Sequence, residues 1–154
     1  MDVVKPGDKA VGFILKDHKE VDQDLSSYLG KKVLLSFHPL AWTDLCAKQM
    51  KSLEANIEEF KQLNTVPFGI SVDSVPCKAA WAKELKVEQT SLLSDFWPHG
   101  AIAESYGVFR EKNGTAKRAN IVVDEKGLVI FAKTYPTSEL PDIQEVLKFI
   151  RDNA

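Results

Sequence analysis

The run Val33 to Phe37 is apolar enough for a buried strand, and soon after it the periodicity turns helical. Met50, Leu53, Ile57 and Phe60 recur at spacings of three, four and three, which predicts one helix over about 44 to 62. A buried strand feeding an amphipathic helix belongs to an α/β architecture, and this junction narrows the possible folds more than any other stretch. Between the two lies Pro39-Leu40-Ala41-Trp42-Thr43-Asp44-Leu45-Cys46. Thr43 is a good N-cap, which makes Asp44 the first helical residue and Cys46 the third. A thiol there faces unpaired backbone N–H groups and the positive end of the helix dipole. Both favour thiolate over thiol, and such positions, together with neighbouring charges, can lower a cysteine pKa from about 8.5 into the range ~3.5–7.5. Asp44, a negative charge in the same turn, works modestly against this.

Strand and helix signals alternate along the rest of the chain. Gly7 to Ala10 reads as an entry loop and Phe13-Ile14-Leu15 as a short strand, with a polar connector over Asp17 to Asp24. Leu25 to Tyr28 looks like a helical turn closed by Gly30. Phe68 to Val72 predicts the next strand, and Pro76 suits the first position of a helix over about 76 to 86. Ser91 to Ser94 is a short strand, followed by a loop and a brief helix ending near Tyr106-Gly107. Arg118 to Val123 and Leu128 to Thr134 flank Asp124-Glu125-Lys126-Gly127, a turn with glycine in the left-handed position. A last helix is expected over about 139 to 152, with Ile143, Val146, Leu147 and Ile150 on one face. These elements predict one α/β domain over 1–154, a mixed central sheet with helices on both faces.

Bulk properties exclude several classes. At 154 residues and 44% apolar content the chain can bury a core without disulfides. Its 20 basic and 22 acidic residues are interspersed, so no tract suits nucleic acid or an anionic membrane. No apolar run approaches 18 residues, and the N-terminus lacks a signal-peptide layout, so a cytoplasmic protein is expected. Two cysteines, Cys46 and Cys77, are too few for a disulfide scaffold, and His18, His38 and His99 show no metal spacing. No cofactor or metal is expected.

The pattern Pro39-x-x-x-Thr43-x-x-Cys46 resembles the active-site signature of the peroxiredoxins, thiol peroxidases on a thioredoxin-like fold. Gly7-Asp8-x-Ala10 fits the family's start, with Val11 in place of its usual proline. Leu92 to Gly100, followed by Tyr106-Gly107-Val108-Phe109, resembles the alkyl-hydroperoxide-reductase E-type subfamily. Arg118-Ala119 matches the place of the family's second active-site residue. The resemblance implies that Cys46 attacks the peroxide, Thr43 hydrogen-bonds its oxygens, Pro39 shields the thiolate and Arg118 supports both thiolate and peroxide. It also implies a homodimer and an outside thiol reductant, either a small thiol or a thioredoxin- or glutaredoxin-like protein. Gln49 is a departure, because most relatives place glutamate three residues after the cysteine; an amide oxygen can still accept from an arginine but carries no charge.

Other residues are weighed beside these. Trp42 and Trp97 suit a pocket or interface wall, His38 and His99 read as ordinary loop and strand residues, and strand alternation lets Phe37 pack beneath the cysteine. Cys77, next to Pro76, would share the first turn of its helix, where its pKa would also be lowered. It is a candidate resolving cysteine, although E-type relatives are typically one-cysteine enzymes. Gln49 occupies the place where a dithiol motif would need its second cysteine, which argues against a thiol–disulfide oxidoreductase. A peroxide sensor that relays oxidation to a partner starts from the same sulfenic acid and stays open.

Overall fold

Pairing along the strand Lys32–Phe37, here β3, organises the molecule, whose computed structural model describes residues 2–154. Two short strands precede it, β1 (Ile14–Lys16) and β2 (Asp22–Asp24), followed by a 3₁₀ turn over Leu25–Tyr28. After β3 come α1 (Asp44–Ala55), α2 (Ile57–Gln62), β4 (Thr65–Ser71), α3 (Val75–Leu85), β5 (Ser91–Ser94) and α4 (Ala101–Ser105). The chain ends with β6 (Phe109–Arg110), β7 (Thr115–Ala116), β8 (Arg118–Val123), β9 (Val129–Tyr135) and α5 (Ile143–Asp152). The central sheet has five strands in the order β5-β4-β3-β8-β9. β3 runs parallel to β4 and antiparallel to β8, so the sheet is mixed, as expected.

Side-chain parity along β3 divides the core. Val33, Leu35 and Phe37 face one side with Phe68, Ile70, Ala119, Ile121 and Tyr106; Leu34 faces the other with Met50, Leu53, Phe60, Trp81 and Leu147. Phe37 therefore packs on the face away from Cys46, whose side chain belongs with Leu34. The expectation that Phe37 lies beneath the cysteine fails by one position of strand parity. α1, α2, α3 and α5 cover one face, while the short α4 and the N-terminal strands cover the other.

Several boundaries differ from the sequence reading. The helix expected over 44 to 62 is two, because Asn56 leaves helical geometry at φ −107° and ψ 16° and its amide donates to Ser52 O. The last helix begins at Ile143 rather than near 139, since Asp142 Oδ1 accepts the Gln144 N–H at 2.9 Å and caps it. The hairpin β6–β7 is an addition to the sequence reading. Its strands are too short to show alternation. Gly127, at φ +83°, takes the left-handed position expected of the β8–β9 turn.

α1 lies close against the sheet because Gly69 of β4 has no side chain; a Cβ there would collide with Met50 Sδ. Cys46 is one helical turn before Met50 on the same face, so this contact also fixes how deeply the sulfur is held. Among the described residues, no helix is long and apolar enough to cross a membrane.

Candidate active site

The β3–α1 turn delivers Cys46 to the buried start of α1 with no exposed surface. Trp42, in the turn, has a left-handed backbone at φ +67°, a conformation that costs a bulky residue roughly 1–3 kcal/mol and persists only where the surroundings enforce it. Thr43 stands at the N-cap with extended backbone, as expected, but its side chain makes no cap hydrogen bond. Its hydroxyl instead donates to Leu40 O at 2.8 Å. Two consequences follow for the pocket. The first-turn N–H groups of α1 keep no side-chain partner, and the exposed Thr43 oxygen retains lone pairs to accept from a bound molecule.

Arg118 opens β8 and is 3% exposed. Its Nη1 donates to Cys46 Sγ at 3.4 Å and to Gln49 Oε1 at 2.8 Å, and its Nη2 donates to Thr137 O at 3.0 Å. Gln49 can present only its oxygen, because its amide nitrogen donates to Ser36 Oγ at 2.7 Å and to Phe37 O at 3.1 Å. Ser36 in turn donates to Asn120 Oδ1 at 2.8 Å. The neighbouring strands β3 and β8 thus hold the amide, and the amide holds the guanidinium. Among the described residues no carboxylate pairs with Arg118, and its Nε is buried without a partner. A buried guanidinium with this shortage favours an anion, and the adjacent sulfur can become one.

Pro39 is half-buried at the start of the β3–α1 turn. Trp42, 55% exposed, has its indole near enough to the Cys77 thiol to favour the thiolate. Cys77 is half-buried in the first turn of α3, where Ser74 is the cap and accepts the Cys77 N–H at 3.4 Å. Pro76 is therefore the second helical residue rather than the first. The expected lowering of the Cys77 pKa is reversed. Burial pushes the thiol up and the Asp73 carboxylate, 3.8 Å from Sγ, pushes it further, with the Trp42 indole offsetting part of this.

The structure also brings forward residues that the sequence reading left aside. His38 and Lys78 are both fully buried on the helical face, with Lys78 Nζ 3.2 Å from His38 Nε2. The available signal was Lys78 standing three residues before the buried Trp81, on the apolar stripe of its own helix. His99, by contrast, is a loop residue whose Nε2 meets Gly114 O at 2.6 Å. Among the described residues, no cluster of three or more His, Cys, Asp or Glu could hold a metal ion.

The AhpC/TSA family model matches residues 6–132. Alkyl hydroperoxide reductase E of Mycobacterium tuberculosis is 39% identical over 137 residues, which cover 88% of this chain and 89% of that protein. The crystal structure of peroxidoxin BcpB from Mycobacterium tuberculosis gives a TM-score of 0.86 at 28% identity, covering 97% of this chain and 98% of that one. The mitochondrial 2-Cys peroxiredoxin of Plasmodium falciparum gives 0.85 at 28% identity, covering 97% and 94%. The fold is thioredoxin-like, as the resemblance implied.

Proposed function

Because the chain belongs to the AhpC/TSA family and is a peroxiredoxin, a thiol-dependent peroxidase, we propose that Cys46 is its peroxidatic residue in a one-cysteine cycle. The observation that carries this reading is the guanidinium of Arg118 donating to Cys46 Sγ at the start of α1. The Cys46 thiolate attacks one peroxide oxygen, an S–O bond forms and the O–O bond breaks. Sulfur is oxidised to sulfenic acid, and the departing oxygen leaves as hydroxide or alkoxide and is protonated to water or alcohol. Arg118 stabilises the charge as it moves from sulfur to the leaving oxygen. Thr43 accepts a hydrogen bond from the peroxide while Pro39 keeps bulk water from the sulfur. Gln49 holds Arg118 in place, and Trp42 forms the rim. Hydrogen peroxide and organic hydroperoxides are both substrates in this reading.

Reduction then comes from outside, by a low-molecular-weight thiol or a thioredoxin- or glutaredoxin-like protein. It attacks the sulfenic acid, releases water and leaves a mixed disulfide that a second thiol resolves. The protein acts as one domain over 1–154, in the cytoplasm and as a homodimer. Exposed Trp42, Phe96 and Trp97 support the dimer by offering apolar surface. The one-cysteine cycle is supported by Cys77 being held as a thiol by burial and Asp73.

A specific observation favours a second cycle: Cys77 packs against the apolar cluster that contains Cys46, so local unwinding would let it resolve the sulfenic acid. Intact mass after one equivalent of peroxide separates the two. Gain of one oxygen, unchanged in Cys77→Ser, is expected; loss of two hydrogens, abolished in Cys77→Ser, would overturn the one-cysteine cycle. A sensor would stop after one equivalent even with excess small thiol, whereas repeated turnover is expected.

A further inference from the structure

Lys78 has no exposed surface, and the chemistry above makes no use of it. A buried ammonium is costly unless its N–H groups find partners. Here Nζ lies 2.6 Å from Ser71 Oγ and 3.2 Å from His38 Nε2, with the Trp81 ring centroid at 5.9 Å. His38 Nδ1 meets the Ser36 carbonyl at 3.4 Å, and a carbonyl can only accept. Nδ1 therefore carries the proton and Nε2 offers its lone pair to Lys78. Ser71, having accepted from Lys78, donates its own proton to Asp73 Oδ2 at 2.6 Å. The same carboxylate oxygen accepts the Ala41 N–H at 2.9 Å. The bonds make one directed chain, from a buried ammonium through a hydroxyl to the carboxylate that holds the turn carrying Pro39 and Thr43.

We propose that Lys78 is a positioning residue for peroxide reduction: its ammonium, acting through Ser71 and Asp73, clamps the Pro39–Thr43 turn over Cys46, and the clamp loosens when the amine loses its proton. The inference rests on Cys46 being the peroxidatic cysteine. Discharge removes the charge assistance from the Ser71 bond and leaves Asp73 less compensated. A turn displaced by even a fraction of an ångström slows attack, because the reaction depends on held geometry.

The surroundings allow the charge change at physiological pH. Burial brings Lys78 from 10.5 to about 7, opposed in descending order by Asp73, Cys46, Cys77 and Asp95. These groups face it from α3 and the turn before it, from α1 and from the loop after β5. His38 is held well below its usual value by burial, by Lys78 and more weakly by Arg118, so it stays neutral. His18 is also lowered, first by burial, and Cys77 is raised. Neither gains or loses its proton in the window just above neutrality. A falling limb there belongs to Lys78.

The test is the second-order rate of hydrogen peroxide reduction by the full chain in stopped flow, from about pH 5.5 to 9. Divided by the thiolate fraction read from ultraviolet absorbance, the wild-type rate should fall roughly three- to tenfold between about pH 6.5 and 8.5. Lys78→Met, similar in size and permanently neutral, should already be slow at the lower pH and show no falling limb. A wild-type rate that, so divided, stays flat or keeps rising above neutrality overturns the inference without any variant, and so does a falling limb that survives in Lys78→Met. If the wild type reduces no peroxide at any pH, the peroxidase reading fails instead. The clamp is then judged by exchange of the Ala41 amide hydrogen, which should quicken in wild type as Lys78 discharges; an unaltered protection factor across neutrality overturns it.

Discussion

Cys46 and Cys77 occupy the same place in their helices, the third residue after an extended cap, and their surroundings are opposite in sign. At Cys46 the capping side chain turns away to Leu40, and the ionic neighbour is the Arg118 guanidinium. At Cys77 the cap accepts that residue's own N–H, and the ionic neighbour is the Asp73 carboxylate. A helix terminus contributes about 0.3–1 kcal/mol to a charge placed on it, less than one unit of pKa. A full charge in contact contributes about 1–3 units. Equal helix positions therefore carry opposite ionic neighbours, and in the proposed mechanism the guanidinium brought in from elsewhere in the fold decides which sulfur reacts.

Removing the sulfurs one at a time tests this contrast most severely. Cys46→Ser should lower peroxide consumption by roughly a thousandfold or more with the fold intact, because an alcohol is a far weaker nucleophile at neutral pH. Cys77→Ser should leave the first turnover near wild type. Stopped-flow rates check both, and equal losses in the two variants would break the contrast. Arg118→Ala should cost roughly 10²–10³-fold. Measured well above the pH at which the thiol ionises, the loss should persist, since in the proposed mechanism the guanidinium also stabilises the leaving oxygen.

Changing the charge beside the quieter sulfur sharpens the comparison from the other side. In a Cys46→Ser background, Asp73→Asn should speed alkylation of Cys77 by iodoacetamide roughly three- to tenfold near neutral pH. The amide still accepts a hydrogen bond but removes the negative charge. An unchanged rate would show that burial alone holds Cys77 as a thiol.

The smallest expected change touches neither sulfur. Lys78 titrates near 7 when folded and near 10.5 when unfolded, so between these values the unfolded chain binds the extra proton. Its penalty on stability is fully present below about 7 and is relieved as pH rises toward about 10.5, by at most about 1.4 kcal/mol per pH unit. Urea unfolding between about pH 7 and 8.5 should show wild type gaining stability relative to Lys78→Met. Parallel curves would place the amine's ionisation elsewhere.

What could be read from the sequence was local. Pro39, Thr43 and Cys46 lie within one strand-to-helix junction, whose apolar run and helical period are visible in order. Arg118 enters only through the family resemblance, since nothing near it in sequence says that β8 will lie beside β3. Phe37 went to the other face because a single step of alternation decides it, and the bend at Asn56 hides inside an unbroken apolar period. Ser71 falls in the strand read over Phe68 to Val72, Lys78 within the helix read over about 76 to 86 and Asp73 between them, with nothing in the sequence to join the three. Their meaning arises when β4, α3 and the β3–α1 turn close on one another. Even the Thr43 hydroxyl, well placed as a cap by position, donates to Leu40 O and accepts from none of the helix N–H groups.

The distance along the chain between the sulfur and its guanidinium has a consequence for synthesis. Cys46 and Arg118 are 72 residues apart, and they meet only when β8 inserts between β3 and β9. During translation the strand–helix unit around Cys46 emerges long before Arg118 has been made. Until then the thiol carries no more than the influence of a helix start. On the proposed roles of Cys46 and Arg118, sensitivity to peroxide is acquired with the last strands, and a growing or misfolded chain is spared the oxidation that the finished molecule invites.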